Sequence, residues 1–263
     1  VLSAPYQISG RLKRTAIRGA AALGIVLVFS VATVGGLFWS YGRSLPDTAA
    51  IASYTPPNVE RYNNEGKLVE YRRFVPLSEI PRHVVKAFVS AEDRHYYDHS
   101  GYSVPAIVRA TLQNIVRIGT GKKPNGGSTI TQQLAKNILL TGQPRSIGRK
   151  IKEIVLASRI EDTLSKDRIL ELYLNQIYFG GHAYGIAAAA RQYFGKAPSE
   201  LSVAEAAYLA ALPKAPNNYR LDVPTNQPRA KKRRDWVLDR MADDGMITVS
   251  AAHLAREEPL IRN

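Results

Sequence analysis

The sequence predicts a mainly α-helical domain preceded by one transmembrane helix. Two patterns carry this prediction. Gly19–Gly42 contains no charged residue, and from Leu77 to about Leu212 apolar residues recur at helical spacing. Capping residues and Gly or Pro stop signals punctuate the second region, as a succession of short helices requires.

The uncharged stretch GAAALGIVLVFSVATVGGLFWSY is long enough to cross a hydrocarbon core of ~30 Å at ~1.5 Å per residue. Arg11, Lys13, Arg14 and Arg18 precede it, and only Arg43 follows closely. The positive-inside rule puts residues 1–18 in the cytoplasm as a short tail, residues 19–42 in the membrane, and the rest on the outer, periplasmic side. A cleaved signal peptide is the alternative, but the apolar region is long for one and no small-residue cleavage site follows.

Residues 43–76 read as a linker with short strands. RYNNEGKLVEYRRF is strand-like, with a hairpin turn at Asn64-Glu65-Gly66. Residues 77–250 read as the main domain. Helices are expected from about Pro81 to Arg94, Pro105 to Ile118, and from Ser128 or Thr129 onward. More are expected from Ile147 to Leu164, Lys166 to Ile177, 183 to 193, 202 to 211 and 228 to 243. IGTGKKPNGG, Ile118–Gly127, is a Gly-rich loop.

Composition narrows the function. The 263 residues carry 36 Lys plus Arg against 22 Asp plus Glu, a formal charge of +14. Such a surplus implies an anionic partner: nucleic acid, anionic lipid or a phosphorylated substrate. Nucleic acid is not expected on the far side of a membrane. With no Cys in the chain, disulfides and thiolate metal sites are excluded.

Four stretches bear chemistry or frame it. In EDRHYYDHSG, Glu92–Gly101, a carboxylate at a helix end can act as a general base, or merely cap the helix. His95 and His99 stand i, i+4, but without a third ligand they read as structural. In GGSTITQQLAKN, two glycines lead into a helix whose Thr129 and Gln132 form a T-x-x-Q capping box. Its free N–H groups with Gln132, Gln133 and Lys136 would make an anion cradle, or simply a capped helix with solvated polar residues. In RSIGRKIKE, Arg145, Lys150 and Lys152 would bind a pyrophosphate, with Glu153 orienting a cation or a metal. Alternatively Arg149 and Glu153 are an i, i+4 surface pair worth only ~0.3–0.5 kcal/mol. ILELYLNQIYFG reads as core, with Asn175 and Gln176 as internal polar links. KKRR at Lys231–Arg234 reads as a basic surface suited to anionic headgroups.

Together these stretches resemble the peptidoglycan glycosyltransferase family of class A penicillin-binding proteins and monofunctional transglycosylases. The match is carried by E-D-x-x-F/Y-x-x-H-x-G, GGST-I/L-TQQL-x-KN, R-K-x-x-E and ELYLN in that order, over about residues 55–250. The resemblance implies a lysozyme-like helical lobe with a smaller membrane-facing jaw. It implies polymerisation of lipid II, with the growing glycan chain on undecaprenyl pyrophosphate as donor. Glu92 would deprotonate the acceptor 4-hydroxyl, and Glu153 would support the departing pyrophosphate. Lys136, Arg145, Arg149, Lys150 and Lys152 match the basic residues around the phosphates, and Ser128, Gln132, Gln133 and Asn137 the substrate-lining set. No tightly bound cofactor is implied, though a divalent cation, Mg or Mn, at Glu153 stays open. Membrane lipid and other cell-wall synthesis proteins are the further partners. The chain lacks the S-x-x-K and K-T-G motifs of a transpeptidase. Residues 217–249 look like the approach to such a module, and 251–263 like the start of a downstream region, which points to the N-terminal part of a bifunctional protein. A lytic glycosidase of similar fold and a non-catalytic membrane scaffold are the competing readings.

Overall fold

The computed structural model describes residues 10–43, 45–66, 68–116 and 127–260. It divides into two units, Val1–Leu45 and Pro46–Asn263. Among its described residues the first contains one helix, α1 (Gly10–Gly42), whose 33 residues run about 50 Å. Ile25, Val28, Phe29 and Trp39 of α1 are exposed, and the Arg43 guanidinium stacks 4.7 Å from the Trp39 ring. Among the described residues no helix is long and apolar enough to cross a membrane. The side chains of Leu23, Val26, Leu27, Val31 and Val34, on which the expected span partly rests, lie outside the described residues, as do residues 1–9.

The second unit is mainly helical. A short helix α2 (Ala49–Ala52) is followed by the antiparallel hairpin β1 (Val59–Tyr62) and β2 (Leu68–Arg72). Its turn closes with Gly66 N–H donating to the Asn63 carbonyl, and Gly66 adopts φ +73°, which favours glycine. Then come α3 (Arg82–Glu92), α4 (Val104–Val116), α5 (Ile130–Leu139), α6 (Ile147–Thr163) and α7 (Lys166–Gln176). A small hairpin, β3 (Tyr178–Gly180) and β4 (Ala183–Tyr184), leads into α8 (Ile186–Phe194), α9 (Val203–Ala211), α10 (Gln227–Asp243) and α11 (Val249–Glu257).

One correction to the sequence reading has a local cause. The helix expected from 183 begins at Ile186, because Gly180, Gly181, His182 and Gly185 all take positive φ and turn the chain as a hairpin. A Cβ on Gly185 would lie 2.6 Å from the Asn175 carbonyl oxygen, so the turn sits tight on the end of α7. Residues 251–257 lie within α11, which packs on α9 and α10.

The core forms around α9. Ala204, Ala206, Ala207, Tyr208, Leu209, Ala210 and Ala211 are all fully buried. Small side chains let α3, α10, α8 and α11 approach α9 closely, and Tyr193 and Tyr208 pack edge to face at 5.5 Å. A second layer packs α5 against α6 and α7. Asn175 ties α7 to the chain leaving β2: it accepts from Val75 N–H at 2.8 Å and donates to the Val75 carbonyl at 2.9 Å. That is the internal polar link expected of it.

Candidate active site

The end of α3 meets the start of α5 through the residues of the first motif. Asp93 Oδ2 accepts from Ile130 N–H at 3.1 Å and lies 3.0 Å from His99 Nε2. Thr129 caps α5 by accepting from Gln132 N–H at 3.1 Å, and its hydroxyl donates to the Gly101 carbonyl at 2.6 Å. Tyr96, fully buried, donates to the Lys166 carbonyl at 2.7 Å. Each fixed position of this motif therefore has a structural task that leaves Glu92, the last residue of α3, held at one place beside α5.

This corrects the expected anion cradle. Two of the first N–H groups of α5 are already taken, one by Asp93 and one by Thr129, so the anion at this helix N-terminus is Asp93 itself. The capping box is also only half formed. The Gln132 side chain does not return to Thr129; its Oε1 accepts from Lys150 Nζ at 2.8 Å.

Lys150 is the hub of the basic cluster. Its ammonium donates to Ser128 Oγ at 2.8 Å, to Gln132 Oε1, and to Glu153 Oε2 at 3.1 Å. Glu153 is 5% exposed, and Arg149 Nε lies 3.2 Å from its other oxygen. Arg149 also donates to the Gln143 carbonyl at 2.9 Å. The Arg149–Glu153 pair is thus buried at the carboxylate, not a solvated surface pair. Since Lys150 requires an acceptor, Gln132 Oε1 faces it, and Gln132 Nε2 is left buried without a partner among the described residues. An unsatisfied buried donor beside a cation cluster suits an oxyanion.

Across α5, Gln133 Nε2 donates to Glu92 Oε2 at 2.7 Å. Burial pushes the Glu92 carboxyl above its ordinary pKa; the Gln133 hydrogen bond and the charges of Arg233, Lys214 and Lys136 oppose that rise. Burial also pulls the Lys136 ammonium below its ordinary value, while Glu153 and Glu92 both act to hold its proton. Lys136 therefore feels both carboxylates, so Glu92 and the basic cluster share one site.

Not every expected residue joins it. Arg145 is exposed and Asn137 half-buried, and neither side chain makes a hydrogen bond to the cluster among the described residues. Lys152 follows Lys150 by two positions, about 200° around α6, and likewise makes no bond to the cluster there. Gly126 lies outside the described residues.

Among the described residues no three His, Asp or Glu side chains could hold a metal ion. Both oxygens of Glu153 already face cations.

A family model described as Transglycosylase matches residues 60–242, which include every residue of this site. The chain belongs to the transglycosylase family. It is a peptidoglycan glycosyltransferase domain. Penicillin-binding protein 1A of Rickettsia felis is 46% identical over 231 residues, covering 86% of this chain and 29% of its own. Penicillin-binding protein 1A of Aquifex aeolicus is 48% identical over 245 residues, covering 90% and 33%. The chain spans about a third or less of the length of these curated relatives. A solved structure of penicillin-binding protein 1A from Haemophilus influenzae aligns with 80% of this chain and 22% of its own, at a TM-score of 0.46 and 25% identity.

In this transglycosylase domain the sequence pattern missed two cations that act on Glu92: Lys214, just after α9, and Arg233 on α10. KKRR is not one basic surface. Lys231 and Lys232 are exposed, whereas Arg233 is 9% exposed and Arg234 fully buried. The signal was there in the periodicity. Ala230, Arg233, Arg234, Val237, Leu238 and Met241 recur at helical spacing and form the buried stripe of α10, so the two arginines stand at core positions.

Proposed function

We propose that this domain joins lipid II units into glycan strands. The Glu92 carboxylate takes the proton of the acceptor 4-hydroxyl as that oxygen attacks the anomeric carbon of the donor chain. The bond from that carbon to the pyrophosphate oxygen breaks, and undecaprenyl pyrophosphate leaves with the electron pair. Lys136, Arg149 and Lys150, with Glu153 fixing the last two, stabilise the charge that develops on the leaving group. A pyrophosphate needs little protonation to depart, so cations stand where a hydrolase would keep a protonated carboxyl. Arg145, Lys152, Ser128 and Asn137 complete the substrate-binding set in this reading, and Gln132 Nε2 offers its spare donor to a phosphate oxygen.

The observation that carries the proposal is the pair of hydrogen bonds made from one turn of α5, Gln133 to Glu92 and Gln132 to Lys150. It supports a transferase over a lytic glycosidase, because both oxygens of the second carboxylate, Glu153, are engaged by cations.

The same reading makes the fold a lysozyme-like lobe whose smaller jaw faces the membrane. Gly127 supports it: a Cβ there would lie 2.9 Å from the Ala106 carbonyl oxygen, so α4 presses its Ala106 and Ala110 side inward. Val104, Val108, Leu112 and Val116 on the other side are exposed, an apolar stripe suited to the acyl boundary of a bilayer. With α1 as a single-pass anchor, N-terminus inside, the domain would work on the outer face of the cytoplasmic membrane within a longer bifunctional penicillin-binding protein, alongside other cell-wall proteins. Incubation with lipid II and gel separation of the products tests the activity. Glycan ladders from the wild type and none from Glu92→Gln are expected; ladders from Glu92→Gln would remove Glu92 from its role.

A further inference from the structure

Two consecutive arginines on α10 have opposite fates. Arg234 donates to the Glu258 carbonyl at 2.7 Å, the Arg256 carbonyl at 2.9 Å and Asp235 Oδ1 at 2.8 Å, so its donors go to holding α11 against α10. Arg233 is nearly as buried, yet among the described residues it makes no hydrogen bond or ion pair, and its Nε is a buried donor without a partner. What fixes it is Trp236, one turn on, whose ring centroid lies 3.7 Å from the guanidinium carbon. Arg240 stands at 5.6 Å from the same ring. A buried, unpaired guanidinium is costly, and a fold keeps one only where something else answers its charge.

Helix α10 packs across α3, which ends at Glu92, and the opposite charges of Arg233 and Glu92 act on each other without closing to an ion pair. The remaining groups that face Glu92 are differently placed. Gln133 of α5 is neutral. Lys136 of α5 is shared with Glu153. Lys214 is exposed, where solvent and salt screen it. Tyr173 of α7 presents a buried hydroxyl, and Asp93 is turned to His99 and Ile130. We infer that Arg233 is a positioning residue for Glu92: a buried guanidinium braced over Trp236, it is the counter-charge that lets this half-buried carboxylate stand ready as a base.

The logic is that of any partly desolvated carboxylate. Without a counter-charge it takes up a proton, and a protonated Glu92 cannot accept one from the acceptor hydroxyl. The pyrophosphate draws on Lys136 when substrate binds, so a cation outside the leaving-group cluster has to remain with the base. This inference rests on Glu92 being that base.

The test is the pH dependence of lipid II polymerisation by the full chain carrying Arg233→Met and Arg233→Lys, with Glu92→Gln and Trp236→Leu beside them. In Arg233→Met the acid limb of kcat/KM is expected to move up by about one pH unit or more, with kcat reduced and the KM for lipid II little changed. Arg233→Lys restores part of the limb, and Trp236→Leu, which frees the guanidinium, moves it partway. Direct titration of the Glu92 carboxyl by isotope-edited infrared spectroscopy in Arg233→Lys follows the same order and needs only folded protein. An acid limb unmoved in both Arg233 variants, or a rise in KM alone, overturns the inference and leaves Arg233 a packing or substrate-contact residue. Polymerisation by Glu92→Gln would instead overturn the base assignment, so the two failures are told apart.

Discussion

Gln132 and Gln133 are neighbours in the chain that serve opposite ends of one site. Gln132 accepts from Lys150 Nζ at 2.8 Å, and Gln133 donates to Glu92 Oε2 at 2.7 Å. Successive side chains on a helix diverge by about 100°, so one turn of α5 spans the gap between Glu92 and the basic cluster. The T-x-x-Q-Q order is thereby explained: Thr129 fixes the helix start, and the two amides then fall on the two sides.

Gln133→Ala removes the hydrogen bond that most strongly opposes the rise of the Glu92 carboxyl. The acid limb of the polymerisation rate is expected to move to higher pH, with about a tenfold loss of kcat/KM below neutrality, of the size that general acid–base contributions allow. A pH–rate profile on lipid II checks this, and an unmoved limb would show that Gln133 does not govern the charge of Glu92.

The same carboxyl makes a stability prediction with a definite sign. Its folded-state pKa lies above its unfolded value, because burial disfavours the charged form. The folded state thus binds the proton more tightly, and the stability this gives is full in acid and lost as pH rises through the folded value. Glu92→Gln removes that loss while keeping an oxygen for Gln133. Its melting temperature at neutral pH is expected to exceed that of the wild type, with the gap closing on acidification. Scanning calorimetry between pH 4 and pH 8 reads it; a variant less stable than wild type at pH 7 would contradict the burial argument.

Lys150→Met strips three acceptors at once: Ser128 Oγ, Gln132 Oε1 and Glu153 Oε2. Gln132 is fully buried and Glu153 nearly so, while Arg149 remains to hold Glu153. The expected cost is about 1–3 kcal/mol for the stranded acceptors, from denaturant unfolding. Transfer should fall far more, by about a hundredfold, because a charge that stabilises the leaving group is lost. If stability and rate fell in proportion, Lys150 would be a structural residue alone.

These variants also show what the sequence made legible. The helices could be read because each has a buried side at regular spacing and a capping residue before it: Thr129, Ser146, Ser165 and Ser202 all accept from the third residue onward. The motif residues that converge on α5 could be named, but not their partners. That Asp93 fills the N-terminus of α5, or that Arg149 pairs with a buried carboxylate, depends on contacts between helices far apart in sequence. The β3–β4 hairpin was missed because its Gly turns precede an Ala-rich run that favours helix. Arg233 and Arg234 carry the charge of a surface run in the sequence, yet both stand on the apolar stripe of α10.

Gly101 gives the most local prediction. It has φ +86°, and a Cβ there would lie 2.6 Å from both the carbonyl carbon and the oxygen of Ala157, in the backbone of α6. Its own carbonyl accepts the Thr129 hydroxyl that caps α5, so the glycine lets the loop after α3 lie directly on α6 while holding the start of α5. Gly101→Ala combines a strained left-handed conformation, about 1–3 kcal/mol, with a clash against backbone that no rotamer change relieves. At roughly 2–4 °C per kcal/mol for a domain of this size, a fall in melting temperature of at least several degrees is expected. Polymerisation should fall further, since displacing the cap of α5 moves Gln132 and Gln133 away from Lys150 and Glu92 together. A Gly101→Ala protein that melts with the wild type and polymerises normally would show that the loop can move off α6 without disturbing the site.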